Sequence, residues 1–120
     1  MAALSPKLRS VAFDMAGTKA GIAFFCPGCE EPHAISVRGL GAIWNWDGDV
    51  DMPTVSPSIR VTSRNDGGET TCHSFVRTGQ IQFLGDCTHP LRGQTVALPD
   101  WPDGDYADFY LPPPHDKVIL

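Results

Sequence analysis

The sequence predicts an all-β domain, a small zinc-stapled sheet or sandwich with little helix. Three observations predict it. No stretch shows sustained helical periodicity, whereas several short apolar or alternating runs are bounded by turn residues. The 120 residues include 12 glycines and 11 prolines, which favour many turns and short strands. Four cysteines fall into two pairs, Cys26-Pro27-Gly28-Cys29 and Cys72 with Cys87. A Cys-x-x-Cys turn aims two thiolates at one point, as tetrahedral zinc requires.

The elements follow in order. Residues 1–10 read as a loosely ordered arm, and Val11 to Asp14 as a short strand. Ala20 to Phe25 is apolar enough for a buried strand running into the knuckle at Cys26. Pro32 to Arg38 alternates, which predicts a strand with one wet face. Strand, Cys-x-x-Cys turn, strand is a zinc-ribbon half-site. Trp44 and Trp46 share a face of an extended segment that ends in the turn Asp47-Gly48-Asp49. Pro53 to Pro57 is extended, because a residue before proline avoids the helical region. Ile59 to Thr62 reads as a strand and Ser63 to Thr70 as a loop. Thr71 to Asp86 reads as a hairpin turning at Gly79-Gln80, with glycine first in a type II′ turn. That register sets Val76 against Phe83, His73 against Asp86 and Cys72 against Cys87. Gln94 to Leu98 gives one more strand, Tyr106 to Leu111 a short turn or strand, and Pro112-Pro113-Pro114 an extended tail. The count is about six to eight strands.

Length fits one domain over residues 1–120, with its ordered core at about 10–102, an N-terminal arm and a proline-rich C-terminal tail. Nine basic and fourteen acidic residues leave a net charge of −5, which opposes general binding to nucleic-acid phosphates. No run approaches the roughly 18 apolar residues that span a bilayer. The first ten residues lack a signal-peptide core. The expectation is therefore the cytoplasm, a reducing compartment where cysteines serve as metal ligands rather than disulfides.

Four chemical groupings stand out. Cys26, Cys29, Cys72 and Cys87 would make a closed, structural four-thiolate zinc site, with His73, His89 or His33 as substitutes for one sulfur. His73 with Asp86 would be a hydrogen-bonded pair beside the metal, or an acid–base dyad. Were the chain an enzyme, His73, Asp86 and His89 would carry the chemistry as a zinc hydrolase; the reading favours no catalysis. Trp44, Trp46 and Trp101 would form either core or an aromatic pocket for a flat, nucleotide-like ligand. Asp47, Asp49 and Asp51 read as a solvated turn, since Ser58 stands where a calcium loop needs its last glutamate. Ser56 and Ser58 lack a Gly-x-Ser-x-Gly elbow and are discounted as nucleophiles.

The motifs Phe-Cys-Pro-Gly-Cys with His33, Trp-Asn-Trp-Asp-Gly (44–48), Pro-Thr-Val-Ser-Pro-Ser-Ile (53–59), Cys-His-Ser-Phe-Val (72–76), Gly-Gln-Ile-Gln-Phe-Leu (79–84) and Asp-Cys-Thr-His-Pro-Leu (86–91) cover about residues 22–102. They resemble a group of short phage and prophage proteins of unknown function often labelled "ammonia monooxygenase". That label implies a membrane-bound copper enzyme and conflicts with the thiolates and the missing span. The paired cysteines on a β scaffold also resemble zinc-anchored β-tent domains at fold level. The resemblance implies a phage accessory protein. Together with small size, acidic charge and the lack of a clear catalytic set, it implies a zinc-binding protein in the cytoplasm of a bacterial host that engages a host protein, with counter-defence inhibition as the specific role. A small-ligand module and a zinc hydrolase are the alternatives.

Overall fold

Period-two alternation sorts the side chains of this chain onto the facing sides of two antiparallel sheets. The structure, a computed structural model, describes residues 2–39, 41, 44–102 and 117–119. The first sheet is β1 (Ala2–Ala3), β2 (Leu8–Ala12), β3 (Ala20–Cys26) and β4 (Glu31–Arg38), in that order. The second runs β10 (Lys117–Ile119), β6 (Val55–Asn65), β7 (Gly68–Arg77), β8 (Gln80–Phe83) and β9 (Thr95–Ala97). β5 (Asn45–Trp46) also pairs with β6. There is no helix among the described residues, so the all-β prediction holds.

Leu8, Ile22, Phe24 and Ile35 from the first sheet meet Val55, Ile59, Val76, Ile81 and Phe83 from the second in one buried cluster. Each such side chain, when fully buried, contributes roughly 1.5–3 kcal/mol. A smaller cluster of Val11, Ala23, Ala34 and Trp101 covers the other side of the first sheet, with Phe13 and Phe25 against it. Trp101 is held there by its ring N–H, which donates to Lys7 O at 3.0 Å, and by the Arg9 guanidinium 4.8 Å from its ring centre. This second layer explains why β4 has no wet face at Ala34 and Ser36, both buried. It also explains the near-continuous apolar run of β3, which is covered on both sides.

Three expectations change. The chain joins the sheet early: β2 starts at Leu8, which is 1% exposed, because an apolar residue next to Arg9 reaches the core. The supposed loop at 63–70 is strand on both sides of a tight turn at Asp66-Gly67, with Ser63 opposite Thr70 and Asn65 opposite Gly68. The β7–β8 turn sits at Thr78-Gly79, not Gly79-Gln80. Arg77 pairs with Gln80 and Val76 with Ile81. Both turn residues have positive φ, +49° and +75°, as a type I′ turn requires. Thr78 tolerates this because tertiary bonds hold it: its N–H donates to Thr54 Oγ1 at 2.9 Å, and Gly79 N–H donates to Pro53 O at 3.0 Å. The expected turn or strand at 106–111 and the proline tail lie outside the described residues.

Candidate functional site

A β-bulge builds the site. Val55 pairs with Val76, but the next partners are Ile59 and Ser74, so residues 56–58 of β6 stand against Phe75 alone. Bulges re-aim side chains, and this one delivers Ser58. Arg60 pairs with His73, which places Ser58 on the diagonal from His73 across the ladder. The Ser58 hydroxyl lies 3.0 Å from His73 Nε2. On the far side of the ring, His73 Nδ1 lies 3.1 Å from Asp86 Oδ2 and 3.3 Å from Oδ1. A carboxylate accepts only, so Nδ1 carries the proton and Nε2 offers its lone pair to the Ser58 O–H. Serine, histidine and aspartate thus form one relay, in the chain order Ser58, His73, Asp86. The His73 side chain is 24% exposed, so the relay reaches solvent while the ring is held on both sides. The Ser58 carbonyl is anchored by Trp44 Nε1, which donates to it at 3.3 Å.

Such a relay activates a serine for attack on a carbonyl. Residues 3–84 match the family described as "BubE: Bacterial ubiquitination-like system serine protease". The chain belongs to the BubE family. The matched span includes Ser58 and His73 and stops just before Asp86. No curated protein and no solved structure matches the chain.

A second grouping lies on the opposite face of β7, where β3, the Cys26–Cys29 turn and β4 meet it. Sγ of Cys26, Cys29 and Cys72 and a ring nitrogen of His33 all lie within 4.8 Å of one another. Cys26 closes β3, and the knuckle tightens as Glu30 N–H donates to Cys26 O at 2.8 Å and Cys29 N–H to Cys26 Sγ at 3.4 Å. Cys72 reaches the cluster from β7, its sulfur 3.9 Å from that of Cys26. His33 is fully buried on β4, edge-on to Phe24, and neither ring nitrogen makes a hydrogen bond of normal geometry. A buried imidazole with nothing to bond is costly, and a metal ion would satisfy it. The donor set, three sulfurs and one nitrogen, fits a structural zinc site. The thiols already share charge. Hydrogen bonds from Cys29 and then Cys72 hold the Cys26 thiol far below its ordinary range. The Cys29 thiol is pushed up to about 12, chiefly by Cys26, and Cys72 is raised by Cys26 and Cys29. A cation would take the place of the protons that these sulfurs hold between them.

Cys87 is not in that group; it lies with Cys72 and His89 in a neighbouring cluster of three. His89 Nδ1 accepts the Leu91 N–H at 3.2 Å, which places the ring proton on Nε2. His89 Nε2 is buried without a hydrogen-bond partner, as the ring nitrogens of His33 are. Its ring sits edge-on to Phe83 and against Gly28, where a Cβ would come within 2.4 Å. A cavity of about 360 Å³ opens there, lined by Cys29, Ser63, Thr71, Thr88 and His89 among others. It flanks the sulfurs, not Ser58.

The tryptophans are dispersed. Trp44 lies in the larger core and Trp101 in the smaller, while Trp46 is partly buried and donates to Asp49 O at 3.1 Å. Asp47 and Asp49 spend their carboxylates on the turn: Asp47 Oδ1 accepts from Asp49 and Thr54, and Asp49 Oδ1 accepts from Asp51 and Met52. His73 and Asp86 were paired from the sequence; Ser58 was discounted there for want of an elbow motif, and the structure brings it to His73. The signal for it was Asp66-Gly67. Read as a two-residue turn, it fixes the β6–β7 register and brings Ser58 beside His73.

Proposed function

We propose that this protein is a serine protease of a bacterial ubiquitination-like system. The supporting observation is the relay Ser58–His73–Asp86, with bonds of 3.0 and 3.1 Å, in a chain of the BubE family. Ser58 Oγ attacks the scissile carbonyl while His73 Nε2 takes its proton. The tetrahedral intermediate collapses, the C–N bond breaks, and His73 returns the proton to the leaving amine. Water then hydrolyses the acyl-serine by the same route in reverse. Asp86 holds the ring in the working tautomer and stabilises the imidazolium. The host-protein inhibitor reading rested on small size, acidic charge and the lack of a catalytic set, and this relay supplies such a set. Zinc held by Cys26, Cys29, His33 and Cys72 is structural in this reading, filling all four positions of a closed site.

The test is covalent. A fluorophosphonate probe should label Ser58, located by peptide mapping, and labelling should vanish in Ser58→Ala and His73→Ala while both variants unfold at the wild-type temperature. A probe that labels another residue, or labels Ser58→Ala as well as wild type, would sink the assignment.

A further inference from the structure

The main chain of His73 has an unusual partner. Strand β8 ends at Phe83, so the ladder that should pair the His73 amide stops short of it. Leu84 N–H still donates to His73 O at 2.9 Å. The His73 N–H instead donates to Cys87 Sγ at 3.2 Å, and the Cys87 thiol donates to His73 O at 3.2 Å. One sulfur thus serves as donor and acceptor to one residue, replacing a strand neighbour. Cys87 is 2% exposed, so water does not compete for these bonds. It also follows Asp86 directly in the chain. The same residue that fixes the backbone of the histidine therefore fixes the position of its carboxylate partner.

We propose that Cys87 is a positioning residue for His73, its sulfur clamping the histidine's backbone N–H and carbonyl, and that Cys26, Cys29, His33 and Cys72 hold the metal without it. This deepens the protease reading and rests on it. The first cluster is complete with four donors, so the fourth cysteine is not needed there. The cost of losing the clamp is positional. Small displacements of a catalytic group reduce rates by about 100-fold.

Two variants separate bonding from packing. Cys87→Val keeps the volume and removes both hydrogen bonds; Cys87→Ser keeps donor and acceptor and loses volume. Fluorophosphonate labelling of Ser58 gives the maximal rate and the probe affinity separately, and metal analysis gives the ion content. The maximal rate should fall about 100-fold in Cys87→Val with probe affinity unchanged, and recover substantially in Cys87→Ser. Both variants should keep the wild-type metal content, whereas His33→Ala should lose it. Wild-type labelling rates in Cys87→Val, or a serine variant slower than the valine one, would overturn the clamp. Loss of metal in both Cys87 variants would overturn the division of labour. If wild type labels at Ser58 and only these outcomes occur, the protease reading stands and this inference falls alone. If wild type does not label, both fall.

Discussion

The two faces of the β6–β7 hairpin carry opposite chemistry on adjacent residues. Cys72 points inward to buried sulfurs, and His73, the next residue, points outward to Ser58 and Asp86. Cys72 is 2% exposed, whereas the Asp86 side chain is 51% exposed. Strand geometry makes this possible, since successive side chains leave opposite sides. The lesson is that proximity in sequence says little about shared chemistry in a strand. A cysteine and a histidine side by side suggested one metal site; the pleat assigns them to two jobs. The inner face is there to hold the sheets together, and the outer face has exposed polar groups in a geometry that stability alone does not demand.

The largest break in the comparison is metal removal, which acts on the inner face. Structural zinc in small domains is worth on the order of 10 kcal/mol of apparent binding energy, much of it folding energy. Chelation should lower the melting temperature by well over about 10 °C, measured by circular dichroism. Reloading should release protons, because Cys29 and Cys72 hold theirs more tightly than an ordinary thiol in the metal-free cluster. Metal affinity should accordingly rise with pH. An unchanged melt after verified chelation would refute a structural ion.

Next comes Asp86→Asn on the outer face. Asparagine keeps the shape but presents an amide that cannot hold the histidine proton in place. The maximal rate of Ser58 labelling should drop by about 10⁴-fold, equivalent to about 5.5 kcal/mol of barrier. The melting temperature should move by less than about 3 °C, since the carboxylate is half exposed. The pairing of a large kinetic loss with a small thermal one is the signature that separates this face from the other.

What the sequence made legible divides along the same line. The strands around the knuckle could be read because Ile22, Phe24 and Cys26 alternate with Ala23 and Phe25, and apolar patterning survives any fold. The β7–β8 register could not be read from patterning. The expected and observed registers differ by two residues, which leaves every side chain on the same face. Only turn chemistry distinguishes them, and bonds from Thr54 and Pro53 overrode the local preference of Thr78. His73 still meets Asp86 because the chain leaves the ladder after Phe83 and turns back. Ser58 depended on the β6–β7 register, which the Asp66-Gly67 turn signals, and on a bulge, which has no local signature. The candidate metal cluster was legible in its sulfurs: Cys26, Cys29 and Cys72 converge as expected, His33 joins them through the packing of β4 on β3, and Cys87 lies with Cys72 and His89.

Two residues of β8 sharpen the contrast at lower amplitude. Ile81 faces inward and is fully buried; Gln82 faces outward and is exposed. Ile81→Ala should destabilise the fold by about 2–5 kcal/mol in urea titrations, from lost burial and the cavity left behind. Gln82→Ala should shift stability by less than about 0.5 kcal/mol. Equal effects would mean that the sheet is not one-sided at β8.

The smallest effect tests whether outer-face contacts matter at all outside the relay. Arg64 and Glu69 pair across the hairpin with N to O at 3.0 Å, and their side chains are 77% and 52% exposed. An ion pair that wet gains little, because water solvates both partners when they part and salt screens them when they meet. A double-mutant cycle with Arg64→Ala and Glu69→Ala should return a coupling of about 0.5 kcal/mol or less, fading in high salt. Labelling of Ser58 should be unaffected in every corner of the cycle. A coupling above about 2 kcal/mol, or a labelling defect, would mean that the hairpin tip communicates with the relay through the β6–β7 ladder, and the outer face would then be a single cooperative surface rather than a site set on an indifferent one.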